Sequence, residues 1–126
     1  MSLKVILGKQ FREELRHFPT ADQEKIANFI EHVQLHGLNQ LEGRNKKSDN
    51  VPKDNPNWLS KVKFAQQYNL WHYHIGIPSY DVNTVFGDRT SEYILHYVLY
   101  DDMIKIVDFS DHPPFKLPSE SYLIHE

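Results

Sequence analysis

Two imidazoles, His72 and His74, stand two residues apart in the stretch Leu70-Trp71-His72-Tyr73-His74-Ile75-Gly76. Read as a strand, this stretch puts Trp71, Tyr73 and Ile75 on one apolar face and Leu70, His72 and His74 on the other, because successive side chains point to opposite sides. An imidazole near its free pKa exchanges a proton at neutral pH and also binds metal, so a pair on one side of a sheet is open to acid–base catalysis or to metal ligation. Ordinary packing on a half-wet sheet face accounts for it equally well. Two more histidines extend the set: His96 lies within a later apolar run, and His112 follows Asp111 just before Pro113 and Pro114 end that part of the pattern.

Bulk composition narrows the class. A chain of 126 residues suits one domain spanning 1–126. It has no cysteine, which excludes disulfide frameworks, thiolate metal sites and cysteine nucleophiles and suits a reducing cytosol. No apolar run approaches the roughly 20 residues that span a bilayer. The N-terminus lacks the basic-then-apolar layout of a secretory leader, so the expectation is a cytoplasmic protein without membrane partners.

Net charge is only −3, but its distribution is uneven. Arg44, Lys46, Lys47, Lys53, Lys61 and Lys63 face only Asp49 and Asp54 over residues 44–63, whereas the chain beyond Asp81 is acidic and ends in a short acidic tail. The basic stretch just before the histidine-bearing strand is placed to attract a polyanion, although a basic stretch is also simply well solvated.

The elements that would position these groups follow from pattern. Leu3 to Leu7 is a short apolar run that reads as a first strand ended by Gly8, although five residues also fit the start of a helix. Phe11, Leu15 and Phe18 recur at helical spacing, and after Pro19 a second helix carries Ile26, Phe29, Ile30 and Val33 at i, i+3, i+4 and i+7. Thr20-Ala21-Asp22-Gln23 has the form of a capping box, and Gly37 closes that helix. Residues 39–57 show no periodicity and read as a long basic loop. Lys61-Val62-Lys63-Phe64-Ala65 alternates like a strand. Glu92 to Tyr100 and Met103 to Ser110 read as two strands joined at Asp101-Asp102. That register puts Tyr93, Leu95, Tyr97, Leu99, Ile104 and Ile106 on one face, and His96, Val98, Lys105, Val107 and Phe109 on the other. The fold class is α+β, an N-terminal strand and helical hairpin packed on a small, mainly antiparallel sheet of about four strands.

This order of strand, helix, helix, basic loop and antiparallel sheet resembles the RelE/ParE superfamily of bacterial toxins. Within it, Trp71-His72-Tyr73-His74-Ile75, Arg89-Thr90-Ser91-Glu92, Ile94-Leu95-His96-Tyr97 and Asp111-His112 look most similar to the YafO family. The resemblance spans roughly Leu3 to Phe115. It implies a RelE-like fold and a ribosome-dependent mRNA endonuclease silenced by a cognate antitoxin.

Such an enzyme needs no cofactor, since the RNA supplies its own 2′-hydroxyl nucleophile. The reaction demands a base for the 2′-OH proton, an acid for the leaving oxygen and cations for the phosphoryl oxygens. The residues that the resemblance offers are His72, His74, His96, His112, Arg89, Tyr97, Lys61 and Lys63, with Arg44, Lys46, Lys47 and Lys53 as further RNA contacts. His74 or His112 takes the proton transfers, with base and acid unassigned. His72 equally serves as a supporting residue, and Tyr97 falls on the apolar face.

Two other classes stay open. His72, His74 and His96 would supply three imidazoles to zinc or iron, leaving a position for water. A protein of the same fold would instead act by binding alone, as gyrase-directed relatives do. Two departures bear on the nuclease: the chain is mildly acidic, and its C-terminal third lacks a basic tail.

Overall fold

The computed structural model describes residues 2–111 and 116–124. The first strand, β1 (Lys4–Leu7), leads into α1 (Lys9–Leu15) and α2 (Thr20–His36), then β2 (Asn45–Lys47) and α3 (Trp58–Gln67). Strands β3 (Leu70–His74), β4 (Tyr93–Leu99) and β5 (Met103–Asp111) follow, and α4 (Glu120–Ile124) closes the described chain. The sheet order is β1-β5-β4-β3-β2. The class is α+β, but the sheet has five strands rather than about four, and β1 lies parallel to β5 while the other pairs are antiparallel.

Helices lie against both sides of the sheet. Phe11, Ile26, Phe29 and Val33 pack with Tyr73, Leu95, Tyr97, Ile104 and Ile106 to form the larger core. On the other side, Ala65 of α3 and Leu123 of α4 pack on Leu70, Val98 and Val107. The remaining part of that second face carries the histidines.

Four local readings are corrected. Residues 61–65 are helical within α3, not a strand: five alternating residues fit either element, but Trp58, Val62, Ala65 and Tyr68 are covered at helical spacing over the whole segment. The helix stops where Asn69 adopts a positive φ of 49° and donates from its side chain to the Leu99 carbonyl at 2.8 Å, turning the chain directly into β3. Residues 39–57 are not wholly a loop, because Asn45–Lys47 pairs with β3 as an edge strand too short to show alternation.

At α2, Pro19 is the N-cap, no side-chain cap bond forms, and the capping box is absent. Gln23 instead donates back to the carbonyls of Leu15 (3.0 Å) and Phe18 (2.9 Å), closing the end of α1. Finally, His96 faces Asp108 while Tyr97 faces Ile106, so Val107 is an extra residue in β5. One inserted residue reverses the alternation beyond it. Phe109 therefore turns to the larger core, its ring 5.1 Å from Phe18 and 5.0 Å from Tyr93, instead of sharing the face of His96.

The hairpin turn matches its reading. Tyr100 donates to the Met103 carbonyl at 2.8 Å across the two aspartates.

Candidate functional site

Residues directly opposite in an antiparallel pair share a face. The registers therefore build a row of Lys46, His72, His96 and Asp108 across β2, β3, β4 and β5. In the next row the His74 amide donates to the Arg44 carbonyl at 3.0 Å, and His74 faces Ile94, which faces Ser110. Pairing of β2 with β3 thus carries the basic edge to the imidazoles. Arg44, Lys46, Lys47, Ser48, His72 and His74 line one hollow of about 280 Å³.

Each imidazole of this face is turned by a different serine. Ser48, buried, lies 3.0 Å from Nδ1 of His72, and Ser110 Oγ lies 2.8 Å from Nε2 of His96. His74 is held at Nδ1 by Ser91, whose amide N–H donates to it at 3.1 Å and whose carbonyl lies 3.0 Å away as an acceptor. One peptide residue thus offers a partner whether or not Nδ1 carries a proton.

A second chain of bonds fixes the backbone at His74. The Gly43 amide donates to Tyr73 Oη (3.1 Å) and the Tyr80 hydroxyl donates to the His74 carbonyl (2.7 Å), so the Tyr73 hydroxyl is left to donate to Tyr80 Oη (2.7 Å). Burial raises the pKa of both phenols, so they act as neutral donors and not as phenolate bases. The same holds for Tyr97, fully buried in the larger core with its hydroxyl donating to Asn45 Oδ1 at 2.7 Å.

One cation of the hollow has a carboxylate partner. Arg44 pairs with Asp88 through Nε at 2.7 Å and Nη2 at 3.3 Å. This bond, aided by the charges of Arg44, Lys46 and His74, holds Asp88 below the ordinary carboxylate range. Arg89 lies apart from the imidazoles: it bonds Glu42 at 2.8 Å and the Thr84 carbonyl at 3.1 Å. Lys61 and Lys63 lie on α3 and Lys53 in the preceding loop, and none of the three lines the hollow. His112 lies outside the described residues.

No protein-family model, curated protein or solved structure matches this chain.

His72 and His74 have ring centroids 6.2 Å apart, and each of the three rings leans on its own serine, Ser48, Ser91 or Ser110. Among the described residues, no group of three or more His, Asp or Glu side chains is arranged to hold a metal ion. Among them also, no helix is long and apolar enough to cross a membrane.

Ser48, Ser91, Tyr80 and Asp88 escaped the reading of the sequence. Ser48, Ser91 and Asp88 act through partners 17 or more residues away, Tyr80 reaches back across a turn to Tyr73 and His74, and the only local signal was the turn-rich composition of the segments that carry them.

Proposed function

We propose that the protein is a toxin of the RelE/ParE type, a ribosome-dependent mRNA endonuclease that works in the cytoplasm and is silenced by a cognate antitoxin protein. The observation that supports this reading is the shared hollow, where Arg44, Lys46 and Lys47 stand with His72 and His74. A phosphodiester needs that combination, cations for its oxygens and imidazoles for its protons.

The reaction is an internal transfer. The ribose 2′-oxygen bonds to the adjacent phosphorus, the bond from phosphorus to the 5′-oxygen breaks, and a 2′,3′-cyclic phosphate and a 5′-hydroxyl result. His74, its ring held at Nδ1 by the Ser91 backbone, takes the 2′-OH proton. His72, held at Nδ1 by Ser48, stands beside the charges of Arg44 and Lys46 and helps to hold the phosphate. The proton for the 5′-oxygen falls to a second imidazole, for which His112 is the candidate.

The test is to add the protein to a translating bacterial extract and map new 5′ ends on the message, with and without ribosome engagement. Cuts confined to translated message, reduced at least about 10²-fold by His74→Ala, are the expected result. Intact message with normal translation would remove the nuclease and favour a gyrase-directed or purely binding role.

A further inference from the structure

A second opening adjoins the first. Arg44 and His74 also line a cleft of about 590 Å³ that reaches Ser79 and Tyr80. Ser79 and Tyr80 in turn line a groove of about 620 Å³ between α2 and the loop that follows β3. The hollow, the cleft at His74 and this groove thus share lining residues in succession, the groove lying on the Tyr73 side of β3 and the hollow on the His72 side, with Tyr80 at the strand end between them.

The lining of the groove has a definite chemistry. Phe29 and Tyr73 contribute a stacked ring pair with centroids 4.8 Å apart and planes 18° from parallel. Phe86 adds a ring that is 60 % exposed, and Asn28 and Gln40 add exposed amides. Phe86 does not hang on a loose segment: the Gly87 amide donates to the Glu42 carbonyl at 2.8 Å, and Arg89 ties Glu42 to the Thr84 carbonyl while its guanidinium lies 6.0 Å from the Phe86 ring centre. An aromatic ring held out to solvent beside amide groups is what an unstacked nucleobase requires, a π face together with edge partners. The volume lies in the range of small-ligand sites.

We propose that this groove is a nucleobase subsite, which takes the base of a nucleotide adjoining the phosphate held at Arg44 and Lys46, with Phe86 as its stacking surface. The proposal rests on the RNA-cleaving reading above. The RNA strand would run from the cationic hollow past His74 and Tyr80 into the groove. Arg89 then supports the Phe86 loop and does not touch the reacting phosphate.

The experiment uses short single-stranded RNAs made uncleavable by 2′-O-methylation, with 2-aminopurine placed at each position in turn. Stacking quenches this fluorophore. Binding should quench a single position, and Phe86→Ala should abolish the quenching and weaken binding about 5- to 150-fold, the range of one base–aromatic stack. Phe86→Trp should restore both. An abasic nucleotide at that position should weaken binding equally, with no further loss from Phe86→Ala.

Equal binding by the wild type and Phe86→Ala, with no position quenched, overturns the subsite and leaves the nuclease reading intact. Nucleoside monophosphates that shift the NMR signals of Phe86, in a protein that leaves translated message uncut, would uphold the subsite and remove the nuclease. Self-association that Phe86→Ala abolishes, without nucleotide binding, would make the groove a protein interface and overturn the subsite.

Discussion

His96 and Asp108 face each other across β4 and β5, and only the extra residue Val107 brings them into register. Burial raises the Asp108 carboxyl from 3.8 to about 6, the charge of Glu14 adds to this, and the Phe109 amide opposes it. Below pH 3.8 the folded and unfolded chains both hold the proton and there is no penalty. Between 3.8 and about 6 the unfolded chain ionises first, so folding stability falls as pH rises, and above that window the loss is complete. Asp108→Asn should therefore stabilise the protein by up to roughly 3 kcal/mol at pH 8 and by almost nothing at pH 4. Denaturant unfolding at the two pH values checks this, and an equal gain at both would rule out ionisation as the cause.

Gln23 closes α1 from within α2, a task its position near the start of a helix does not suggest. Its side-chain amide satisfies the Leu15 and Phe18 carbonyls at 3.0 and 2.9 Å, while the Thr20 hydroxyl makes no cap bond. Gln23→Ala should cost about 1–2 kcal/mol, whereas Thr20→Ala should stay within about 0.5 kcal/mol. Chemical denaturation of the two variants measures the difference, and the reverse order would reinstate the capping box.

Periodicity made the two N-terminal helices and the opposite faces of Trp71 and His72 legible, because each repeats over enough residues to separate period 2 from period 3.6, while the first strand was read from a short apolar run ended by Gly8. At Lys61 to Ala65 the alternation was too short to decide, and both lysines were assigned to a strand face that does not exist. The Val107 bulge has no local signal, and it moved Phe109 off the face of His96 and Asp108 onto it. At the hollow, the imidazoles were visible as residue types. The pairing of Lys46 with His72, and of Ser91 with His74, depends on contacts 17 or more residues apart.

Gly43 is required by space. A Cβ there would lie 1.8 Å from the His74 carbonyl oxygen and 2.8 Å from Tyr80 Oη. The first obstacle is backbone, so no side-chain rotation relieves it. Gly43→Ala should destabilise by more than about 4 kcal/mol, at the far end of single-residue effects. Trimming the phenol in a Gly43→Ala, Tyr80→Ala double variant should recover little. A double variant that regains wild-type stability would place the clash at Tyr80 instead.

Asp88 holds the donors of Arg44 that a bound phosphate would need. Its carboxylate occupies Nε and Nη2 of the guanidinium, the forked donor set that recognises a phosphodiester. Asp88→Asn removes the competing charge at an exposed position, so folding should change little while affinity for uncleavable single-stranded RNA rises several-fold, most clearly at low salt. Arg44→Ala should weaken that binding about 10-fold or more, the scale of a charge-assisted hydrogen bond. Lys63→Ala, on α3 and away from the hollow, should leave it unchanged. Titrations at two salt concentrations distinguish the three variants. Weaker binding by Asp88→Asn would mean that the carboxylate orders Arg44 for RNA and does not compete with it.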